Sequence, residues 1–145
     1  MQLTRPAFAP NNPIPDQFTC KGAGISPPLN IASVPMGTQS LVLAMHDPDA
    51  PGGDFTHWTM WNIAPTTTSL PAGMAPGGAV MGRNDFDRIG YGHPCPPSGT
   101  HRYVFELLAL DTRLQLASGA SRNTLSHALQ GHVLARASLI GIVSA

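Results

Sequence analysis

Five side chains able to hold or transform a small polar ligand fall at the ends of three strand-like segments. Asp47 and Asp49 sit in the turn HDPDAPGGD, His57 opens HWTMWNIA, and His101 and Tyr103 begin HRYVFELLALD. Histidine and tyrosine supply N–H and O–H donors, and loop amides can point at an oxyanion, so the set suits an anion. A carboxylate beside them has a supporting job. It accepts from a ring nitrogen, fixes the tautomer and keeps the imidazole charged. A histidine so paired would have its pKa raised above about 6.5. The associated stability would be present below the unfolded pKa and lost as pH rises through the raised value. The same carboxylates could instead meet the ammonium of a zwitterionic ligand.

Each residue also has a plainer reading. Asp47-Pro48 and Asp49-Ala50-Pro51-Gly52-Gly53 are ordinary turn chemistry, with Asp bonding its own backbone. His57 and His101 read equally as satisfied rim histidines, and Tyr103 as core. His46, His127 and His132 have no comparable setting and read as structural. Arg102 falls on the opposite strand face from His101, where a surface or ion-pair role suits it. Asp47, Asp49, His57 and His101 form a mixed oxygen and nitrogen donor set, but no HExxH or paired-cysteine spacing accompanies them, so no metal is assigned. A Gly-x-Ser-x-Gly elbow, a phosphate-cradling loop and a dinucleotide fingerprint are also absent. Cys95 lies in the same loop as the pocket, between two prolines, which is no activating context for a thiol.

These groups converge only if their strands are neighbours. SLVLAMH (40–46) is a continuous apolar run, as suits a strand covered on both faces. In HWTMWNIA, simple alternation puts His57, Thr59, Trp61 and Ile63 on one face, with Trp58, Met60 and Asn62 on the other. In the third strand His101, Tyr103, Phe105, Leu107 and Ala109 share a face. A long Gly/Pro-dense segment, 65–100, separates the second and third, and such loops tend to be functional or disordered. SRNTLSHALQGH reads as a helix capped by Ser121, with a Leu125/Ala128/Leu129 stripe and Gly131 at its end. ARASLIGIV closes the chain as a strand. Among the first 35 residues QFTC is a short strand candidate. Many strands and few helices point to a β-sandwich with one or two helices attached, over one domain spanning 1–145.

The chain has 145 residues and zero formal net charge, eight Lys plus Arg against eight Asp plus Glu. No basic stripe argues for nucleic acid or an anionic membrane. No apolar run reaches the roughly 18 residues of a spanning helix. The start, MQLTRPAFAPNNPIP, lacks an apolar signal core, so a cytoplasmic location is expected. A Cys20–Cys95 disulfide is open to the chain but unsupported by spacing, and the plainer reading is two reduced, partly buried thiols.

The segments DPDAP, a histidine shortly after it, and GYGHPCPPSGTHRYVFELLALD resemble the phosphatidylethanolamine-binding protein family, in particular its short bacterial, Raf-kinase-inhibitor-like branch. FTCKGAGISPPLNI, RNDFDRIGYG and ALQGHVLARASLIGIV extend the resemblance over nearly the whole chain. It implies an antiparallel β-sandwich with a small pocket for phosphate-like or other small anions. By motif position, Asp47, Asp49, Pro51 and His57 match the first pocket segment, and Pro96, Pro97, His101 and Tyr103 the second. Phe55, His93 and Cys95 are additional pocket candidates. The resemblance implies no cofactor, a homodimer, and members that bind ligands or partner proteins, some acting on kinase signalling. Two positions depart from the branch. Thr56 stands where Trp is usual, and His93 where the loop usually has Gly, so His93 would be strained if that glycine serves a positive φ. The expected function is therefore non-enzymatic binding of a small phosphorylated or carboxylated ligand, with a partner protein such as a kinase as a further target. The alternative is a hydrolase, metal-dependent or not, with His57 or His101 as general base or metal ligand.

Overall fold

The computed structural model describes residues 1–145. Strands β1 (Gln2–Thr4), β2 (Leu29–Ala32) and β5 (Ser69–Leu70) form a small antiparallel sheet in the order β1-β2-β5. The larger antiparallel sheet runs β6-β4-β3-β7-β8, from β3 (Ser40–Asp47), β4 (Phe55–Ile63), β6 (Val80–Met81), β7 (Thr100–Leu110) and β8 (Val133–Ser144). The three strands carrying the candidate residues are thus adjacent, with β3 between β4 and β7.

The continuous apolar run of β3 has the predicted explanation. Leu41, Leu43 and Met45 face the small sheet, where they meet Leu29, Ile31 and Leu70 in the main core. Val42 faces the other way, into a second cluster with Trp61, Leu108, Leu110 and Leu125. Leu125 belongs to α1 (Arg122–Leu129), which covers part of the outer face. Ser121 caps α1 as predicted, its Oγ accepting from the Thr124 amide at 3.2 Å. Tyr103, Phe105, Leu107 and Ala109 share the inner face of β7.

Simple alternation fails in β4. Its pairing with β3 shifts register twice, each time with one extra residue on β4. At the first bulge Met45 pairs with Trp58 and His46 with Thr56, which leaves His57 unpaired in the ladder. His57 therefore joins Trp58 on the inner side, against Tyr103 at 5.2 Å between ring centroids. At the second, Asn62 adopts φ 55°, and Ile63 enters the main core instead of following Trp61 outward. The Asn62 side chain accepts from the Leu114 amide and donates to the Leu114 carbonyl, both at 2.8 Å, which makes the left-handed backbone worth keeping.

QFTC is not a strand. Asp16–Phe18 is a single 3-10 turn, closed by the Phe18 and Thr19 amides on the Pro15 and Asp16 carbonyls. The expectation of reduced thiols is also overturned, since Cys20 and Cys95 form a disulfide. This turn lies against the loop before β7, and the Cys20 amide donates to the Pro94 carbonyl at 3.1 Å. That contact brings the two Cα atoms to 5.4 Å, inside the range a bridge requires. A sequence separation of 75 carries no trace of it.

Candidate functional site

A cavity of about 200 Å³ opens where the ends of β3, β4 and β7 meet. Asp47, His57, His101 and Tyr103 supply its polar groups. Pro51 comes from the β3–β4 turn, Phe55 from the start of β4, and Cys95, Pro96 and Pro97 from the loop before β7.

The hydrogen bonding fixes the polar groups. Asp47 is 3% exposed, and its two oxygens accept from the Asp49 amide at 2.8 Å and from His101 Nδ1 at 2.7 Å. His101 therefore turns Nε2 away from the carboxylate. His57 Nδ1 donates to the Gly92 carbonyl at 2.7 Å. Burial pushes the His57 pKa below its ordinary value, against the opposing effects of that hydrogen bond and of the Asp47 charge. A neutral His57 with Nδ1–H so committed carries a lone pair on Nε2. Burial, followed by the Asp47 charge, raises the Tyr103 hydroxyl well above the usual phenol range, so it stays protonated and able to donate.

Two candidates lie elsewhere. Asp49 does not line the cavity. Arg102 holds it, with the backbone amide and Nε on Oδ2 at 2.8 and 2.9 Å and Nη2 on Oδ1 at 2.8 Å. These hydrogen bonds drop the Asp49 carboxyl far below the usual range. Arg102 is thus the ion-pair residue its strand face suggested, and the pair ties the turn to β7. His93 is not in this cavity either. Its backbone lies outside the left-handed region, so it carries no strain, and its ring packs over Gly24. Thr56 also faces away, its hydroxyl accepting from Arg122 at 3.2 Å. Neither departure from the family motif reaches the cavity walls.

Sequence reasoning missed Phe86 and Ala50, which both line the cavity. Phe86 packs edge-on against Phe55 and His57, at 4.8 and 5.4 Å. Its loop signal was only the Asn84–Asp85 turn that precedes it. Sequence reasoning also missed a setting for His46. On the outer face of β3, Nδ1 meets Asp54 at 2.7 Å and Nε2 meets Glu106 at 3.1 Å. Arg122 of α1 also reaches Asp54, at 2.8 Å. The Glu106 hydrogen bond, opposed by burial and helped by Asp54, raises the His46 pKa. His132, beyond the end of β7 remote from the cavity, pairs with Asp111 at 2.7 Å. No cluster of three or more His, Cys, Asp or Glu side chains could hold a metal ion, and no helix is long and apolar enough to cross a membrane.

Comparisons with known proteins bear on family and fold. The sequence pattern of the phosphatidylethanolamine-binding protein family matches residues 4–144. A UPF0098 protein of Methanothermobacter thermautotrophicus is 48% identical, over 98% of this chain and 97% of its own. A solved phosphatidylethanolamine-binding protein homologue from Chlamydia trachomatis, CT736, superposes with a TM-score of 0.95 at 42% identity, covering 99% of this chain and 97% of that one. YbcL of E. coli, described as a member of the mammalian family, superposes at 0.92 and 33% identity, over 99% and 98%. With the sandwich, the bulge-presented histidine and the two proline-rich segments converging on one cavity, the chain belongs to the phosphatidylethanolamine-binding protein family.

Proposed function

We propose that this protein binds a small anion, a phosphoryl group or a carboxylate, without turning it over. The observation that carries the reading is the convergence of His57, His101 and Tyr103 on a cavity of about 200 Å³. That volume is below the roughly 300–1,000 Å³ of sites for drug-sized ligands, so it suits one functional group or a very small molecule. Tyr103 donates from O–H. Asp47 orients His101 so that Nε2, once protonated, donates to the ligand while Nδ1 keeps its carboxylate. An anion beside His57 favours the charged ring and so offsets the burial that depresses it.

The test is titration with inorganic phosphate, phosphoethanolamine and nucleotides while the His57 and His101 ring resonances are followed. Both rings are expected to shift with saturation; no movement at millimolar ligand refutes the reading. The neutral His57, with a free Nε2 lone pair, is also the group a hydrolase would use as base. A hydrolase screen in which turnover disappears in His57→Ala would move the function to that class. Regulation of a partner protein such as a kinase, a homodimeric assembly and a cytoplasmic location complete the proposal. Sedimentation reads the second. The third sits against the Cys20–Cys95 bridge, since disulfides persist mainly in oxidising compartments. Alkylation of free thiols in freshly lysed cells decides it.

A further inference from the structure

Phe86 is a wall shared by two hollows. One is the His57 cavity. The other, of about 300 Å³, is lined by Asn84, Phe86, Arg88, Tyr91, Gly92 and His93. The partition is firmly built. Buried Asn84 donates to the Gly90 carbonyl at 3.0 Å and accepts from the Phe86 and Arg88 amides at 2.9 and 3.3 Å. One side chain thus sets the turn that carries Phe86 between the two hollows and Arg88 to the second. Gly92 lets the ring lie flat on the backbone, since a Cβ there would come within 2.5 Å of Phe86.

The second hollow is lined by cationic and neutral groups and by no carboxylate. The two acids flanking Phe86 are engaged elsewhere: Asp85 accepts from the Thr56 amide at 2.7 Å, and Asp87 pairs with Arg83 at 3.1 Å. Arg102 and Arg122 are likewise held by Asp49 and Asp54, whereas Arg88, like Arg5, Lys21, Arg113 and Arg136, takes part in no ion pair. His93 lines the same hollow, with its ring packed on Gly24. The Tyr91 hydroxyl is already committed to the Phe18 carbonyl at 2.7 Å. An unpaired guanidinium and an imidazole on one hollow make a second anion subsite.

We infer that the ligand is a small bis-anion. One anionic group enters the His57/His101/Tyr103 cavity, the other lies between Arg88 and His93, and a short spacer crosses the edge of Phe86. This inference rests on the anion-binding reading of the first cavity. His93 then acts as a specificity residue of the second subsite.

The probes are inorganic phosphate and propane-1,3-diyl bisphosphate, titrated into the full chain by calorimetry. A charge-assisted contact contributes about 1.5–3 kcal/mol, so the bisphosphate is expected to bind roughly 10- to 100-fold more tightly than phosphate. Arg88→Gln with His93→Gln removes that preference and leaves phosphate affinity at the His101 cavity unchanged. His101→Ala weakens both probes. If phosphate binds but the bisphosphate binds no more tightly, the inference falls and the anion-binding function stands. If bisphosphate affinity survives His101→Ala intact, bridging is wrong. If neither probe binds, both readings fall.

Discussion

Breaking the Cys20–Cys95 bridge tests the correction the structure makes most directly. The bridge closes a loop of 75 residues. In the chain-entropy account that loop removes about 15 cal/mol/K from the unfolded ensemble, worth ~4.5 kcal/mol at 25 °C. For a domain of this size the loss lowers Tm by roughly 9–18 °C. Little of it should come from the folded state. The Cys20 amide keeps its bond to the Pro94 carbonyl, and the Gly92 amide keeps its bond to the His57 carbonyl at 2.8 Å, so the loop remains anchored without sulfur. Both cysteines are exposed, so a reductant reaches them without unfolding the protein. The assay is urea unfolding of oxidised protein, reduced protein and Cys20→Ser/Cys95→Ser. The reduced and doubly substituted forms should agree, lose stability together, and show a larger m-value, because an uncrosslinked unfolded chain exposes more surface. A loss below about 1 kcal/mol refutes the entropic estimate. A full loss with an unchanged m-value refutes its location in the unfolded state.

Four further outcomes follow from particular contacts. Asn62→Ala removes two buried hydrogen bonds to Leu114 and leaves alanine at φ 55°, so denaturant unfolding should show a loss of about 2–4 kcal/mol. The His46 pKa is raised, so its contribution to stability is fully present below about 6.5 and is lost as pH rises through the raised value. The difference in stability between wild type and His46→Gln should shrink across that window. Sulfate stays a dianion over this range while the His57 pKa is depressed, so sulfate affinity should rise as pH falls and level off below the depressed value. Isothermal titration at several pH values reads it, and a flat profile excludes His57 from the anion. Gly92→Ala places a Cβ against the Phe86 ring and displaces it, which should move the His57 ring resonances without a large change in Tm.

The sequence alone determined the elements whose signal is local. The apolar run 40–46 could only be buried on both faces, the face of β7 from Tyr103 to Ala109 follows a period of two, and Ser121 caps α1 because a hydroxyl meets an amide three residues on. The pocket was legible to the extent that its groups stand at strand ends beside distinctive turn segments, with Asp47, His57, His101 and Tyr103 all found together. What depended on partners remote in sequence was decided only by the tertiary structure. Two bulges, set by pairing with β3, turned His57 and Ile63 inward against the alternation. Arg102 drew Asp49 out of the pocket, and Phe86 entered it from a loop whose shape Asn84 imposes. His46 met Asp54 from the β3–β4 turn and Glu106 from β7, and the disulfide joined turns 75 residues apart. Periodicity and capping are written in neighbouring residues, whereas these contacts exist only once packing has brought distant segments within bonding distance.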